Sequence, residues 1–420
     1  MLPGDPRLHA LLVFILVSSQ AFFTVLAIRN LRYSASTIRS ETAFLTDDLG
    51  FEDPDRVIHY NRAKTALSHL QSWLGLGALL LVLYTGLLTS IVEWIEAFSL
   101  GPVIGGITFF VGLSVALTVF SLPFDVVDTF VIEELFEFNQ QTPRLFVRDA
   151  IVGLALSVVL AAVVVGAILA FIEAVPTWWW LAGTAFFLVF AVGMQVIYPR
   201  VIAPLFNDFE PIESGELRDG VEDVFERAGF RCEELFTMDA SRRSSHVNAY
   251  FVGFGRTKRV VLFDTLVDRM GLPEIQSVLA HELAHWKRNH VWKRLGVSAI
   301  RIAVLLFVLW AILQSTAVYS LFALPTAATY AGLFVALLFV TPLLQLTAPL
   351  TNRVSLAHER EADRFAVQVM DDPEPMAAAL ADLASENLAN PFPDPLYAAF
   401  HYSHPPIPER IRRIRETGAE

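Results

Sequence analysis

Residues 281–285 read His-Glu-Leu-Ala-His. Two histidines four apart on an α-helix project from one face, so their imidazoles can grip a single ion. Glu282 stands beside them, where a carboxylate can take a proton from water activated by that ion. The chemistry on offer is metal-assisted hydrolysis. Three fixed positions in five are cheap, however. In a chain with ten histidines, chance alone would supply such a match in roughly one chain per hundred. A working site needs a helix, a location and a third ligand.

The helix is legible. Gly271-Leu272-Pro273-Glu274 puts a proline near a first turn with an acid behind it. Ile275, Val278, Leu279 and Leu283 then keep helical spacing. The location follows from composition. The 420 residues are 54% hydrophobic with a mean hydropathy of +0.51, too apolar for a soluble chain of this size. A bilayer crossing takes about 20 apolar residues. Seven runs suffice, at 9–28, 71–92, 101–122, 150–172, 177–198, 297–318 and 326–349. The first could be read as a signal peptide. Its apolar run is too long for one and only Arg7 precedes it, so a retained span is expected.

Lysine and arginine orient the spans. Segments 93–100, 173–176 and 319–325 hold none, while the alternate segments hold nearly all. Basic loops stay cytoplasmic, which predicts the N-terminus outside and the C-terminus inside and requires an odd number of crossings. Four pieces result: 1–198 with five spans, 199–296 with the His-Glu-Leu-Ala-His helix, 297–349 with spans six and seven, and 350–420 as a C-terminal segment. Within 199–296 the pattern predicts a helix over 213–229 and two strands, Ala249–Phe254 and Arg259–Phe263, with a turn at Gly255–Lys258.

A catalytic zinc usually takes three protein ligands and keeps one open position. The third must lie on the same side of the membrane, where the chain returns after span seven. There stands His358-Glu359-Arg360-Glu361-Ala362-Asp363. Glu359 can ligate the metal, and Asp363, four residues on, can accept the second N–H of a ligand histidine. His290, His358 and Glu361 are rivals for the third place. The single cysteine, Cys232, excludes an intramolecular disulfide and a cysteine zinc cage, and its expected role is a small buried side chain. The net charge of −12 with only four lysines suits a salt-loaded cytoplasm, although a GC-rich genome would also trade Lys for Arg. Nothing in it calls for a nucleic-acid partner.

Several blocks together resemble the type I CaaX prenyl proteases, multi-span zinc metallopeptidases related to the HtpX-like membrane peptidases. They are Phe138-Asn139-Gln140-Gln141-Thr142, Tyr198-Pro199 through Asn207, Ser244 through Phe251, Val261 through Leu266, His281 through Lys287, and Tyr402-Ser403-His404-Pro405-Pro406 with Glu409-Arg410. The resemblance implies an integral membrane fold of seven transmembrane helices enclosing a chamber, with a small α+β metallopeptidase domain on the cytoplasmic side. It implies one Zn2+ held by His281, His285 and Glu359, and Glu282 as general base. Asn248 and Ala249 would lie on an edge strand that holds the substrate backbone, His404 would stabilise an oxyanion, and Arg410 would bind substrate or orient the site. The implied partners are the bilayer and a peptide or protein substrate, either a prenylated C-terminal tail or a damaged or stalled membrane protein. Three positions depart from the family: Ala284 replaces a glycine, Leu356 an arginine and Arg360 an aromatic. The methyl of Ala284 is expected near the metal face. A non-catalytic membrane chaperone with a structural zinc is the alternative, disfavoured by the intact Glu282 and the open ligand set. An intramembrane protease would bury the motif in a span, whereas Lys287, Arg288, Asn289 and His290 follow it at once.

Overall fold

A computed structural model describes residues 3–252 and 259–418. The spans begin where sequence chemistry starts helices. Asp5, Asp53 and Thr142 each accept a backbone N–H at the N-cap and are followed at once by proline, whose fixed φ and missing N–H suit the first turn. These caps open α1 (Pro6–Ser40), α2 (Pro54–Tyr84) and α4 (Pro143–Ala174), with α3 (Gly101–Val127) between them. After α5 (Trp179–Ile197) come β1 (Phe209–Pro211), α6 (Glu216–Arg227), β2 (Glu234–Met238), β3 (Ala249–Val252), β4 (Arg259–Phe263) and α7 (Leu272–Lys287). The chain then runs through α8 (His290–Leu313), α9 (Thr329–Gln345), α10 (Ala348–Met370) and α11 (Ile407–Gly418).

Among the described residues, six helices are long and apolar enough to cross a membrane, and the bent pair α9–α10, taken as one span, gives a seventh. The second predicted run, 71–92, is interrupted: α2 stops at Tyr84 and a separate helix, Leu87–Glu96, starts after Gly86. Gly86 sits at φ 85°, a left-handed turn that glycine takes at no steric cost. The seven helices form a closed ring. Each packs on its sequence neighbours, α5 meets α8, and α9 closes onto α1.

The ring is not a solid bundle. No more than 22% of the apolar window of any of the six single spans is buried. The buried residues cluster at one end, with Leu12, Leu83, Phe109, Leu169, Trp179, Leu306 and Tyr330 in a common core. In α2 nothing between Tyr60 and Leu83 is buried, and in α4 only Ile168 and Leu169 are. The helices therefore converge and seal at this cap end, bury little through their middles although neighbours still touch there, as where Trp73 Nε1–H donates to Thr24 Oγ1 between α2 and α1, and meet protein again at the far end. That leaves a hollow interior.

The far end is closed by the small domain. Its sheet runs in the order β1-β2-β4-β3, with β2 and β4 parallel and the outer pairs antiparallel. β1 and β2 carry no alternating pattern long enough to read from sequence. The turn expected at Gly255–Lys258 lies outside the described residues. Val260, Leu262, Leu279, Leu283 and Phe365 form one core beneath the sheet. Pro342 inside α9 removes a helical hydrogen bond, and a 48° bend follows between α9 and α10. That bend lays α10 along α7, through an interface of small side chains that includes Ala280, Ala284, Ala362 and Ala366.

Candidate metal centre

Four residues separate His281 from His285 on α7, and four separate Glu359 from Asp363 on α10. The close α7–α10 packing brings the two pairs face to face. His281 Nε2 lies 3.2 Å from Glu359 Oε2, His285 Nε2 lies 3.4 Å from Glu359 Oε1, and the two Nε2 atoms are 3.4 Å apart. Zinc bound tetrahedrally at about 2.0–2.1 Å sets its donors about 3.3–3.4 Å apart. The residues present fit that ion.

The outer nitrogens fix the tautomers. His281 Nδ1–H donates to Asp363 Oδ1 at 2.8 Å, leaving Nε2 with its lone pair. Asp363 in turn accepts two hydrogen bonds from Arg410, Nη2 to Oδ1 at 2.7 Å and Nε to Oδ2 at 3.0 Å. Behind His285 runs a second relay. His290 Nε2–H donates to Glu361 Oε2 at 3.0 Å, so its Nδ1 can accept from His285 Nδ1–H, 3.0 Å away. His290 is completely buried and stacks on His358 at 4.0 Å. Both ligand imidazoles thus present a lone pair to the point where Glu359 presents a carboxylate. Acceptors converging on one point need a positive charge between them, either a metal ion or a proton on His281 Nε2. Burial disfavours charge on His281, but Asp363 and Glu359 outweigh it and raise its pKa to about 9. Burial and the neighbouring His281 push His285 down to about 3.

Among the described residues, His281, His285 and Glu359 form a group whose donor atoms converge closely enough to hold one ion. His290, His358 and Glu361 stand one layer out, around the ring of His285. The sequence signal for that layer was faint. His290 lies five residues from His285, which on an unbroken helix would point it elsewhere. Asn289 adopts φ 57° and breaks the helix between α7 and α8, folding His290 back onto His285.

Glu282 is half-buried, and burial pushes its carboxyl above the ordinary range. His404 Nδ1 lies 2.7 Å from Glu359 Oε2 with the side chain 59% exposed, so it faces the open side. Arg294 reaches the same carboxylate, Nη2 to Oε1 at 3.2 Å. Arg410 is buried and committed to Asp363, behind His281 and away from the open side. Asn248 is exposed at the start of β3, and among the described residues β3 is an edge strand that pairs on one side only.

Ala284 is fully buried in the α7–α10 core, where its methyl packs between the two helices that carry the histidine pair and Glu359. Arg360 lies on the surface near Glu409, 3.5 Å away. Cys232 packs beside the same core, and burial pushes its thiol up to about 11.

The segment before β3 is docked by contacts that sequence reasoning missed. Val247 N–H donates to Asn387 Oδ1 at 3.0 Å, and Asn387 Nδ2–H donates to the Val247 carbonyl at 3.2 Å. His246 stacks on Phe138 at 4.2 Å and lies 3.3 Å from Glu133. Ser245 N–H donates to the Phe138 carbonyl at 3.1 Å, so two unusual blocks far apart in sequence meet beside the site.

Two family models match the chain: CAAX prenyl protease N-terminal, five membrane helices, over residues 43–208, and peptidase family M48 over residues 211–418. A CAAX prenyl protease 1 homolog of Arabidopsis thaliana is 39% identical over 313 residues, 73% of this chain and 73% of the relative. CAAX prenyl protease 1 of Saccharomyces cerevisiae is 33% identical over 323 residues, 73% of this chain and 71% of the relative. The crystal structure of S. mikatae Ste24p superposes with a TM-score of 0.88 at 29% identity, covering 98% of this chain and 99% of that one.

Proposed function

The chain belongs to peptidase family M48, joined to a CAAX prenyl protease N-terminal region, and is a multi-span membrane metallopeptidase; on that premise we propose how its residues divide the work. One Zn2+ is held by His281, His285 and Glu359. The observation that carries this is the donor triangle of 3.2–3.4 Å. Bound there, zinc supplies Lewis acidity, which polarises the scissile carbonyl and lowers the pKa of water. Glu282 takes the proton of the attacking water and hands it to the leaving amine. His404, on the open side, donates to the negative charge that grows on the carbonyl oxygen. Asp363 and His290 hold the ligand imidazoles, and Arg410 holds Asp363. Asn248 and Ala249 seat the substrate as an added strand on the free side of β3, where Asn supplies both a donor and an acceptor.

The substrate is a polypeptide with a prenylated C-terminal tail, in keeping with the relatives named as CAAX prenyl proteases. A hollow ring inside a bilayer can admit the lipid and the peptide together. In this reading the metal end faces the cytoplasm: Arg29 pairs with Asp394 of the C-terminal segment and Arg148 reaches the Leu205 carbonyl, and basic loops stay cytoplasmic.

Glu282→Gln should lower kcat by about 100- to 10,000-fold while the protein keeps its zinc. Phenanthroline should abolish turnover by the wild type. Full activity in either experiment removes the reading. Comparing membranes that hold wild type with membranes that hold Glu282→Gln identifies the substrate. Unprocessed prenylated tails should accumulate with the variant, and an excess of damaged or stalled membrane proteins instead would point to quality control.

A further inference from the structure

α8 presents two different exposed faces. Trp292, Ile300, Val304 and Phe307 are 45–68% exposed and apolar, as a lipid-facing stripe should be. Arg294, Ser298 and Arg301 are also exposed and polar, spaced i, i+4 and i+7. At 100° per residue the second stripe lies roughly 140° around the helix from the first. Its first member marks where it leads, since Arg294 touches Glu359 in the metal centre.

Arg301 stands seven residues further along, about 10 Å deeper into the ring. It makes no hydrogen bond or ion pair among the described residues. A guanidinium at that depth is costly in lipid and is kept where it faces water or an anion. Chance pairing was available, since the chain holds 43 acidic residues against 31 basic ones. Arg294 is engaged by Glu359, which leaves Arg301 as the free fork on this stripe.

We propose that Arg301 binds the free C-terminal carboxylate of the peptide that is cut beside Glu282. The inference rests on the peptidase reading above and names a specificity residue for it. A guanidinium matches a carboxylate with two parallel N–H donors. The end of a C-terminal tail is the anion that every such substrate brings with it.

The test uses the full-length protein and two peptides that differ only at the C-terminus, one a carboxylate and one a carboxamide. Wild type should favour the carboxylate in kcat/KM by about 10- to 100-fold, the value of a charged hydrogen bond. Arg301→Gln should bring the ratio near one, and Arg301→Glu should invert it. Zinc content and a monodisperse elution profile check that the variants fold. An unchanged ratio in both variants, or a wild type indifferent to the terminus, overturns the proposal. A wild type that cuts neither peptide overturns the peptidase reading itself, and this inference with it.

Discussion

At the scale of single residues, what separates a metal site from a motif is the control of tautomers. His281 and His285 carry the same side chain but are held by different partners. Asp363, braced by Arg410, accepts from His281, while the neutral His290, tied to Glu361, accepts from His285. A carboxylate increases ligand basicity more than an imidazole does, so the two relays should differ in weight. Asp363→Asn should weaken zinc binding toward the upper end of about 10- to 100-fold, and His290→Ala toward the lower end. Competition against a chelator of known affinity measures both. Equal, unmeasurable losses would mean that the relays only pack.

At the scale of elements, α7 was readable from sequence because its cap, proline and apolar period agree. Glu359 was singled out because the predicted spans return the chain to the same side, and the fold sets it beside His281 and His285. The bend that presses α10 onto α7 was not, since a proline reports a break but not its angle. β1 and β2 were missed because three and five residues carry too little period to exceed background. The cap end depends on glycines that no motif announces. A Cβ on Gly106 would stand 2.8 Å from Tyr330 Cβ and would also strike Leu169. Tyr330 is fully buried and donates to Glu96 at 2.9 Å, so it has little room to move. Gly106→Ala should cost about 1–3 kcal/mol by overpacking and lower the thermal midpoint of the purified protein. An unchanged midpoint would show that the seal between α3, α4 and α9 is looser than its geometry.

At the scale of the whole molecule, the burial pattern is the argument for a chamber. A solid seven-helix bundle buries residues along the full length of each span. Through the middles of α2 and α4 burial stops outside the cap core, which divides the ring between a seal, a cavity and a floor that carries the proposed metal site. The division makes a prediction that composition cannot, because exposed side chains on one helix must then meet two different solvents. With Cys232→Ser as background, Ser298→Cys should react with a membrane-impermeant charged thiol reagent. Val304→Cys, 53% exposed on the apolar face, should resist it, because a charged reagent does not enter lipid. Labelling of both would place α8 in water on all sides and deny the ring. Labelling of neither would mean that the interior is closed to water, and a peptidase with a dry interior would have no route by which hydrolytic water reaches Glu282 from that side.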